Sequence, residues 1–410
     1  MLSVKEAENI IFNLAKPLNN QQDIETVDLF TATGRILASP VTSKLDFPHW
    51  DNSAMDGYAV IYQDVKQASE EKPAVLKLVE DIPAGYQPQS NIQSGQAARI
   101  FTGAVMPKGA DTVVMQENTR REANQVFILA APKPQEFVRY RGAYYQAGTE
   151  LLPAGIKLNP PEIAILAASQ CTKLNVYRRP RVAILSTGNE LVTPDEKLQV
   201  GQIVDSNQYA LAALVKQSGG EPLMLGIIKD EPEALKQAIS QAISKADLVL
   251  SSGGVSVGDY DYVEQILASL EGEIKVRAVA MQPGKPLTVA TFPISNSPIY
   301  FGLPGNPVSA LVSYLRFVQP VIKKLSGIVE GWKPTFIKAQ IRQNLSSNGK
   351  RETYIWGKLN LVDGVYQFSV AGGNKSSGNL IDLAQTNAFA VLEVGKLSVN
   401  VGEEIWVLQV

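Results

Sequence analysis

The chain has 410 residues, 38 lysines and arginines against 40 aspartates and glutamates, and one histidine and one cysteine. A formal charge of −2 supplies no global positive field for nucleic acid, and His49 with Cys171 can build neither a four-ligand zinc site nor an internal disulfide. A Ser–His–Asp triad would have to use His49 itself, so the chemistry is expected from oxygen ligands, lysines, arginines and backbone N–H groups.

Ser3 and Glu6 have capping-box spacing and open a helix running to about Lys16. Lys5, Glu6 and Glu8 interrupt its apolar face, unlike an export signal, and no run is long and apolar enough to span a bilayer. A cytoplasmic location away from membranes is therefore expected. Residues 24–43 hold short strands, and 60–138 are strand-rich, punctuated at DIPAG, QSG, TGAVMPKGAD and APKPQ. A helix then starts at NPPEIAILAASQ, with Asn159 as cap, Pro160 first and Glu162 third.

After Arg179 strands and helices alternate. RVAILST, EPLMLGII, DLVLSSG and IYFGLPG read as buried strands, and EIKVRAVA turns through a hairpin into PLTVA. Between them lie the helical stretches DSNQYALAALVKQ, DEPEALKQAISQAI (capped by Asp230) and DYDYVEQILASL, and a last helix, NPVSALVSYLRFVQPVIKKL, is expected to kink or end at Pro320. This alternation predicts an α/β domain with a largely parallel sheet, in a multidomain α/β chain. From about Gly331 short strands return as a C-terminal β domain, with 8 basic and 6 acidic residues over 331–410, too neutral for a nucleic-acid-binding barrel.

Ligands of open α/β sheets sit beyond the carboxyl ends of the strands. Four segments fall there: STGNEL (186–191), SSGGVSVGDYD (251–261), MQPGKP (281–286) and GLPGNPVSA (302–310). The small residues of SSGG let a ligand approach the backbone. Asp259 and Asp261 would either cap the next helix or share a Mg²⁺ with substrate phosphates. Lys285, between two prolines, is either a cation aimed at an oxyanion or a surface turn lysine, and GLPGNP offers N–H groups ahead of a helix. Neither a P-loop nor a GxGxxG fingerprint is present. In the first half, HWDNSAMDGYAV concentrates Asp51 and Asp56 beside Asn52 and Ser53, while FTGA offers Thr102 and Gly103 as a small-residue turn for phosphate or ribose. His49 reads as a packed ring and Cys171 as core.

Taken in order, DNSAMDGYA, FTGA-x-x-P-x-GAD-x-VV-x-x-E, STGNEL, SSGGVSVGDYDY, PGKP and GLPGNPVSA resemble the molybdopterin molybdenumtransferase family, bacterial MoeA and the gephyrin E domain, over essentially the whole chain. The resemblance implies an elongated homodimer of four-part subunits. These would be a discontinuous helical domain (1–25 and 145–178), an inserted β domain (26–144), a three-layer α/β/α molybdopterin-binding domain (179–328) and a C-terminal β-barrel-like domain (329–410). It implies Mg²⁺-dependent insertion of molybdate into adenylylated molybdopterin with release of AMP, the molybdenum being held by the substrate's dithiolene sulfurs. It also implies transient contact with the pathway's adenylyltransferase and with acceptor molybdoenzymes or their chaperones.

Carried onto this sequence, the resemblance makes Asp56, Glu190, Asp261 and Lys285 the catalytic set, with Glu190 and Asp261 near Mg²⁺. Thr102, Gly103, Ser251, Ser252, Gly253, Gly254, Pro304, Gly305, Ser309, Arg351 and Ser377 become substrate contacts. Three segments depart from the family pattern, at four positions. Ala143 and Tyr144 replace two acids, Gln282 stands for a lysine, and Trp356 stands where an arginine is usual. A carboxylate and two cations are thus lost together, which keeps open a weak or inactive homologue that carries molybdopterin or its adenylylated form.

Overall fold

The apolar run at 181–187 becomes strand β1 (Arg181–Thr187), in which every residue after Arg181 is buried. A strand buried on both faces needs helices on both sides. The strands β2 (Glu221–Ile228), β3 (Leu248–Ser252), β4 (Glu273–Ala278), β5 (Pro286–Thr291) and β6 (Ile299–Leu303) complete a sheet of order β2-β1-β3-β6-β5-β4. β1, β2, β3 and β6 are parallel, while β5 runs against both β6 and β4, forming the expected hairpin. The computed structural model describes residues 1–253, 260–294, 297–372 and 380–410.

Successive strand residues feed opposite layers. Val182, Ile184, Leu248, Leu250 and Phe301 join α1 (Val4–Leu14), α2 (Asn207–Gln217) and the helical segment 307–325 in one core. Ala183, Leu185, Val249 and Tyr300 pack against α3 (Pro232–Lys245) and α4 (Tyr260–Ser269) in the other. The capping box of α1 forms as expected, Ser3 Oγ accepting from Glu6 N at 3.2 Å and Glu6 Oε2 from Ser3 N at 2.8 Å.

The C-terminal strands β7 (Phe336–Ile341), β8 (Glu352–Val362), β9 (Val365–Val370), β10 (Ala388–Leu392) and β11 (Glu404–Gln409) close into a barrel, because β8 pairs with both β9 and β10. Period-two alternation divides their side chains. Ile355, Leu359, Phe368, Ala390 and Val407 fill the barrel, whereas Tyr354, Trp356, Phe389, Val391 and Leu408 face the α1-side core of the α/β sheet. The barrel is further tied on by parallel pairing of Met281–Gln282 with Glu352–Thr353.

Contacts divide the chain into two units, one comprising 1–39, 154–159 and 174–410, the other 40–153 and 160–173. The second contains a six-stranded sheet of order Thr112–Met115, Gly57–Val60, Gln96–Ile100, Ala74–Ile82, Gln125–Ile128 and Thr119–Glu122. A side chain at Gly57 would overlap the Val114 carbonyl, so the DGYA segment uses glycine to let these strands meet. α1 buries Val4, Ala7, Ile11 and Phe12 in the α/β core, and helix Pro160–Ala168 groups with 40–153.

Three local expectations change. The helix does not end at Pro320: Tyr314–Val318 widens to a π turn, and Gln319 N bonds Tyr314 O, so the chain passes the missing proline N–H in a shifted register. Glu231, not Asp230, caps α3, without a side-chain bond. Cys171 is half-buried beside Ser169 and not core.

Gly253, just after β3, has φ +96°, and a Cβ there would overlap the Thr187 carbonyl oxygen. Gly253→Ala is therefore expected to cost about 2–3 kcal/mol of stability from strain and overpacking combined. Urea unfolding of the variant against wild type measures this loss.

Candidate active site

Parallel β1, β3 and β6 end on the same edge of the sheet, so their following turns converge. There lies a cleft of about 740 Å³, lined by Ser186 and Thr187 at the end of β1 with Gly188 and Glu190 beyond it, by Ser252 at the end of β3 with Gly253 beyond it, and by Pro304, Gly305 and Ser309 after β6. Six residues expected from sequence, Glu190, Ser252, Gly253, Pro304, Gly305 and Ser309, thus meet in one cavity. Ser251, 2% exposed, lies one residue back on β3 and bonds the Tyr300 hydroxyl. Burial raises that phenol to about 12 despite the bond, keeping it neutral. Glu190 is exposed and folds its carboxylate back over Gly188.

An adjoining cavity of about 350 Å³ is bounded by Gln282, Lys285, Arg351, Thr353, Tyr354 and Trp356. Pro286 and Ser309 line both cavities. Two cations therefore serve the smaller space while the larger is walled by glycines, hydroxyls and carboxylates. The Arg351 guanidinium donates to Met281 O at 3.2 Å and to Gln282 Oε1 at 3.4 Å, and Asn348 Nδ2 donates to the same Gln282 oxygen at 3.1 Å. At two of the three departures, then, Gln282 helps orient Arg351, and Trp356 is a buried wall.

Behind that wall Arg316, 5% exposed, donates to Glu8 Oε2 at 2.6 Å and to the Tyr354 hydroxyl at 3.0 Å, and Tyr354 donates to Glu352. Burial raises Glu352 above the ordinary carboxylate range, partly offset by the Tyr354 bond and the Arg316 charge. The network carries the π turn and the base of β8.

The remaining described candidates lie in the second unit. Asp56 Oδ1 accepts from both Thr102 N and Thr102 Oγ1 at 2.7 Å, joining the DGYA and FTGA motifs. These two bonds, first the backbone and then the hydroxyl, lower the Asp56 carboxyl below its ordinary range, with Arg99 adding a smaller pull. Gly103, at φ +82°, donates its N–H to Ser53 O at 2.8 Å. Asp51 accepts from Arg141 N at 2.7 Å, and His49 packs edge-on to Phe47 and Trp50 with Nδ1 2.7 Å from Asp46 O. Tyr144, the third departure, is exposed beside Phe47. Gly254 and Ser377 lie outside the described residues, as does the side chain of Asp261, whose backbone enters the first turn of α4.

Sequence reading missed the polar floor of the large cleft. Asn207, 7% exposed, donates from Nδ2 to Ser252 Oγ at 2.7 Å and to Gly305 O at 2.8 Å, clamping the turns after β3 and β6 to the start of α2. Asp205 holds Gln208 through both its oxygens at 3.2 and 3.1 Å, and Asp230 also lines the cleft. The DSN triplet before α2 was the available signal, but its partners lie 45 and 98 residues away in sequence. Among the described residues no three His, Cys, Asp or Glu side chains gather tightly enough to enclose a metal ion.

The sequence profile of the MoeA N-terminal region (domain I and II) matches residues 2–169, that of a probable molybdopterin binding domain 183–324, and that of the MoeA C-terminal region (domain IV) 338–410. A Nostoc sp. protein named molybdopterin molybdenumtransferase is 66% identical over 409 residues, covering 100% of this chain and 94% of its own. One of the same name from Haemophilus influenzae is 34% identical, covering 93% and 92%. A crystal structure of a molybdopterin biosynthesis MoeA protein from Pyrococcus horikoshii superposes with TM-score 0.84 at 31% identity, covering 100% of this chain and 99% of that one.

Because Asp56 is lowered in the fold, its stabilising contribution is present above the unfolded carboxylate pKa and is lost as pH falls through the lower folded value. Thr102→Val removes the hydroxyl donor and keeps the backbone one. The Asp56 pKa, followed by carboxyl NMR titration, is expected to rise toward the ordinary range.

Proposed function

We infer that the chain, which belongs to the MoeA family, is a molybdopterin molybdenumtransferase that inserts molybdenum into molybdopterin in molybdenum cofactor biosynthesis. The carrying observation is the pair of adjoining cavities, one polar and glycine-walled, the other holding Lys285 and Arg351, joined at Pro286 and Ser309. A substrate with a heterocycle at one end and anionic groups at the other suits such a pair. Adenylylated molybdopterin and molybdate enter, and cofactor and AMP leave.

The donor set supports Mg²⁺ as the metal. Glu190 offers an exposed carboxylate at the cleft, and Asp205 and Asp230 line the same space. Mg²⁺ prefers this situation, taking one or two carboxylates and completing its shell with phosphate oxygens and water. When bound it neutralises phosphate charge, and Glu190 and Asp261 are the residues we assign to it. The protein's own groups do the rest. Gly253 and Gly305 admit substrate close to the backbone, Lys285 and Arg351 attract oxyanions by charge-assisted hydrogen bonds, and the Asn207 clamp fixes the turns that carry Ser252 and Gly305. Asp56, ionised and held by Thr102, supplies a fixed negative charge.

At one departure Gln282 orients Arg351 instead of adding a charge, and at another Trp356 walls the same cavity. We further propose the fourfold domain division, a cytoplasmic homodimer, and transient contact with the adenylyltransferase that makes the substrate and with the acceptors of the product.

Purified protein mixed with adenylylated molybdopterin, Mg²⁺ and molybdate is expected to release AMP and to yield cofactor that activates an apo-molybdoenzyme, with Asp56→Asn losing at least tenfold in rate. Tight substrate binding without AMP release above a protein-free control would instead identify a carrier. Light scattering is expected to give twice the chain mass across a hundredfold dilution series, and a monomer mass throughout would refute the dimer.

A further inference from the structure

The two edges of the central sheet treat polar groups differently. At the amino edge, Arg178 pairs both guanidinium nitrogens with Asp247 at 2.7 and 2.8 Å and donates Nε to Asp23 at 2.8 Å. At the carboxyl edge, three buried atoms, Ser186 Oγ, Thr187 Oγ1 and Asn207 Oδ1, have no hydrogen-bond partner among the described residues. Their residues are 1%, 3% and 7% exposed, and all three line the 740 Å³ cleft. Buried polar atoms left unpaired cost stability, so three together at a cavity floor point to a ligand that satisfies them.

The amide orientation of Asn207 is not ambiguous. Gly305 O can only accept, so the nitrogen must face it, and Oδ1 is left as an acceptor. The fully ionised pyrophosphate link of the substrate also only accepts and cannot answer this atom. The cations Lys285 and Arg351 line the adjoining cavity and not this floor. The floor therefore suits an uncharged edge that carries N–H donors. A pterin's pyrimidinone edge presents a carbonyl, a ring N–H and an amino group in succession, matching one amide oxygen and two hydroxyls that can donate or accept. An adenine edge offers a single amino donor and leaves more of the floor unpaired.

We propose that Asn207 Oδ1 accepts a hydrogen bond from the 2-amino group of the pterin, with Ser186 and Thr187 completing recognition of the same heterocycle edge. This rests on the transferase reading for the identity of the substrate, and it makes Asn207 both the clamp of the cleft and its pterin-specificity residue. The anionic end of the substrate then points toward Ser309 and the cavity of Lys285 and Arg351.

The test is calorimetric titration of the full-length protein with three probes: pterin, 4-oxopteridine (which lacks only the 2-amino group) and AMP. Wild type is expected to bind pterin at least tenfold more tightly than 4-oxopteridine. Asn207→Ala should bring that ratio to within about twofold of unity. Thr187→Val, which leaves the clamp to Ser252 and Gly305 intact, should weaken pterin several-fold with unchanged thermal unfolding. The assignment is overturned if wild type binds pterin undetectably or no better than 4-oxopteridine. It is also overturned if Asn207→Ala weakens both pteridines equally, the signature of a clamp alone, or if the loss falls on AMP while pterin binding is unchanged. A protein that shows the pterin preference but releases no AMP would refute the transferase reading and leave this assignment standing. One that turns over without the preference would do the reverse.

Discussion

The site depends on one buried side chain crossing between two turns. Asn207 ties Ser252 after β3 to Gly305 after β6, and it does so from the first residue of α2. Parallel strands bring their carboxyl ends to one edge, but topology alone does not fix the gap between the turns that follow. Two hydrogen bonds from one amide nitrogen set that gap. Gly253 makes the arrangement possible, because only a residue without a Cβ can lie against the Thr187 carbonyl with φ +96°. The large cleft is thus a consequence of strand direction, one amide and one glycine.

A second constraint couples the α/β sheet to the barrel. Alternate residues of β8 serve two cores, Ile355 inside the barrel and Tyr354 with Trp356 against the sheet's helical layer. Because β8 also pairs with Met281–Gln282, the strand that supplies Arg351's neighbours is fixed to the segment that supplies Lys285. Arg316 reinforces the same strand through Tyr354, and it stands within the π turn that carries the chain up to Pro320. The cation-lined cavity is therefore held by packing from both sides, with the Trp356 departure absorbed into its wall.

Much of this was legible in the sequence where chemistry and local backbone demands coincide. SSGG, STGNEL and GLPGNP mark strand ends because glycine and proline leave a local imprint, and six residues drawn from those segments do meet in one cavity. Asp56 and Thr102 were each singled out, but their pairing is a contact across 46 residues and carries no local signature. Asn207 was overlooked for the same reason: at the head of an ordinary amphipathic helix it reads as a helix-start residue, and only the distant Ser252 and Gly305 reveal its task. The grouping of α1 with the sheet was equally hidden, since an apolar helical face does not say which partner will cover it. The π turn arises from a proline whose missing N–H could equally have ended the helix.

The substrate is expected to span the two adjoining cavities, heterocycle over Asn207 and anionic end toward Lys285 and Arg351. A crystal structure of the protein with adenylylated molybdopterin tests this most directly. The expected result is the pterin ring against Asn207 and Thr187, with the chain of the ligand passing Ser309. A pterin seated among Lys285, Arg351 and Trp356, with phosphate on the Asn207 floor, would contradict it.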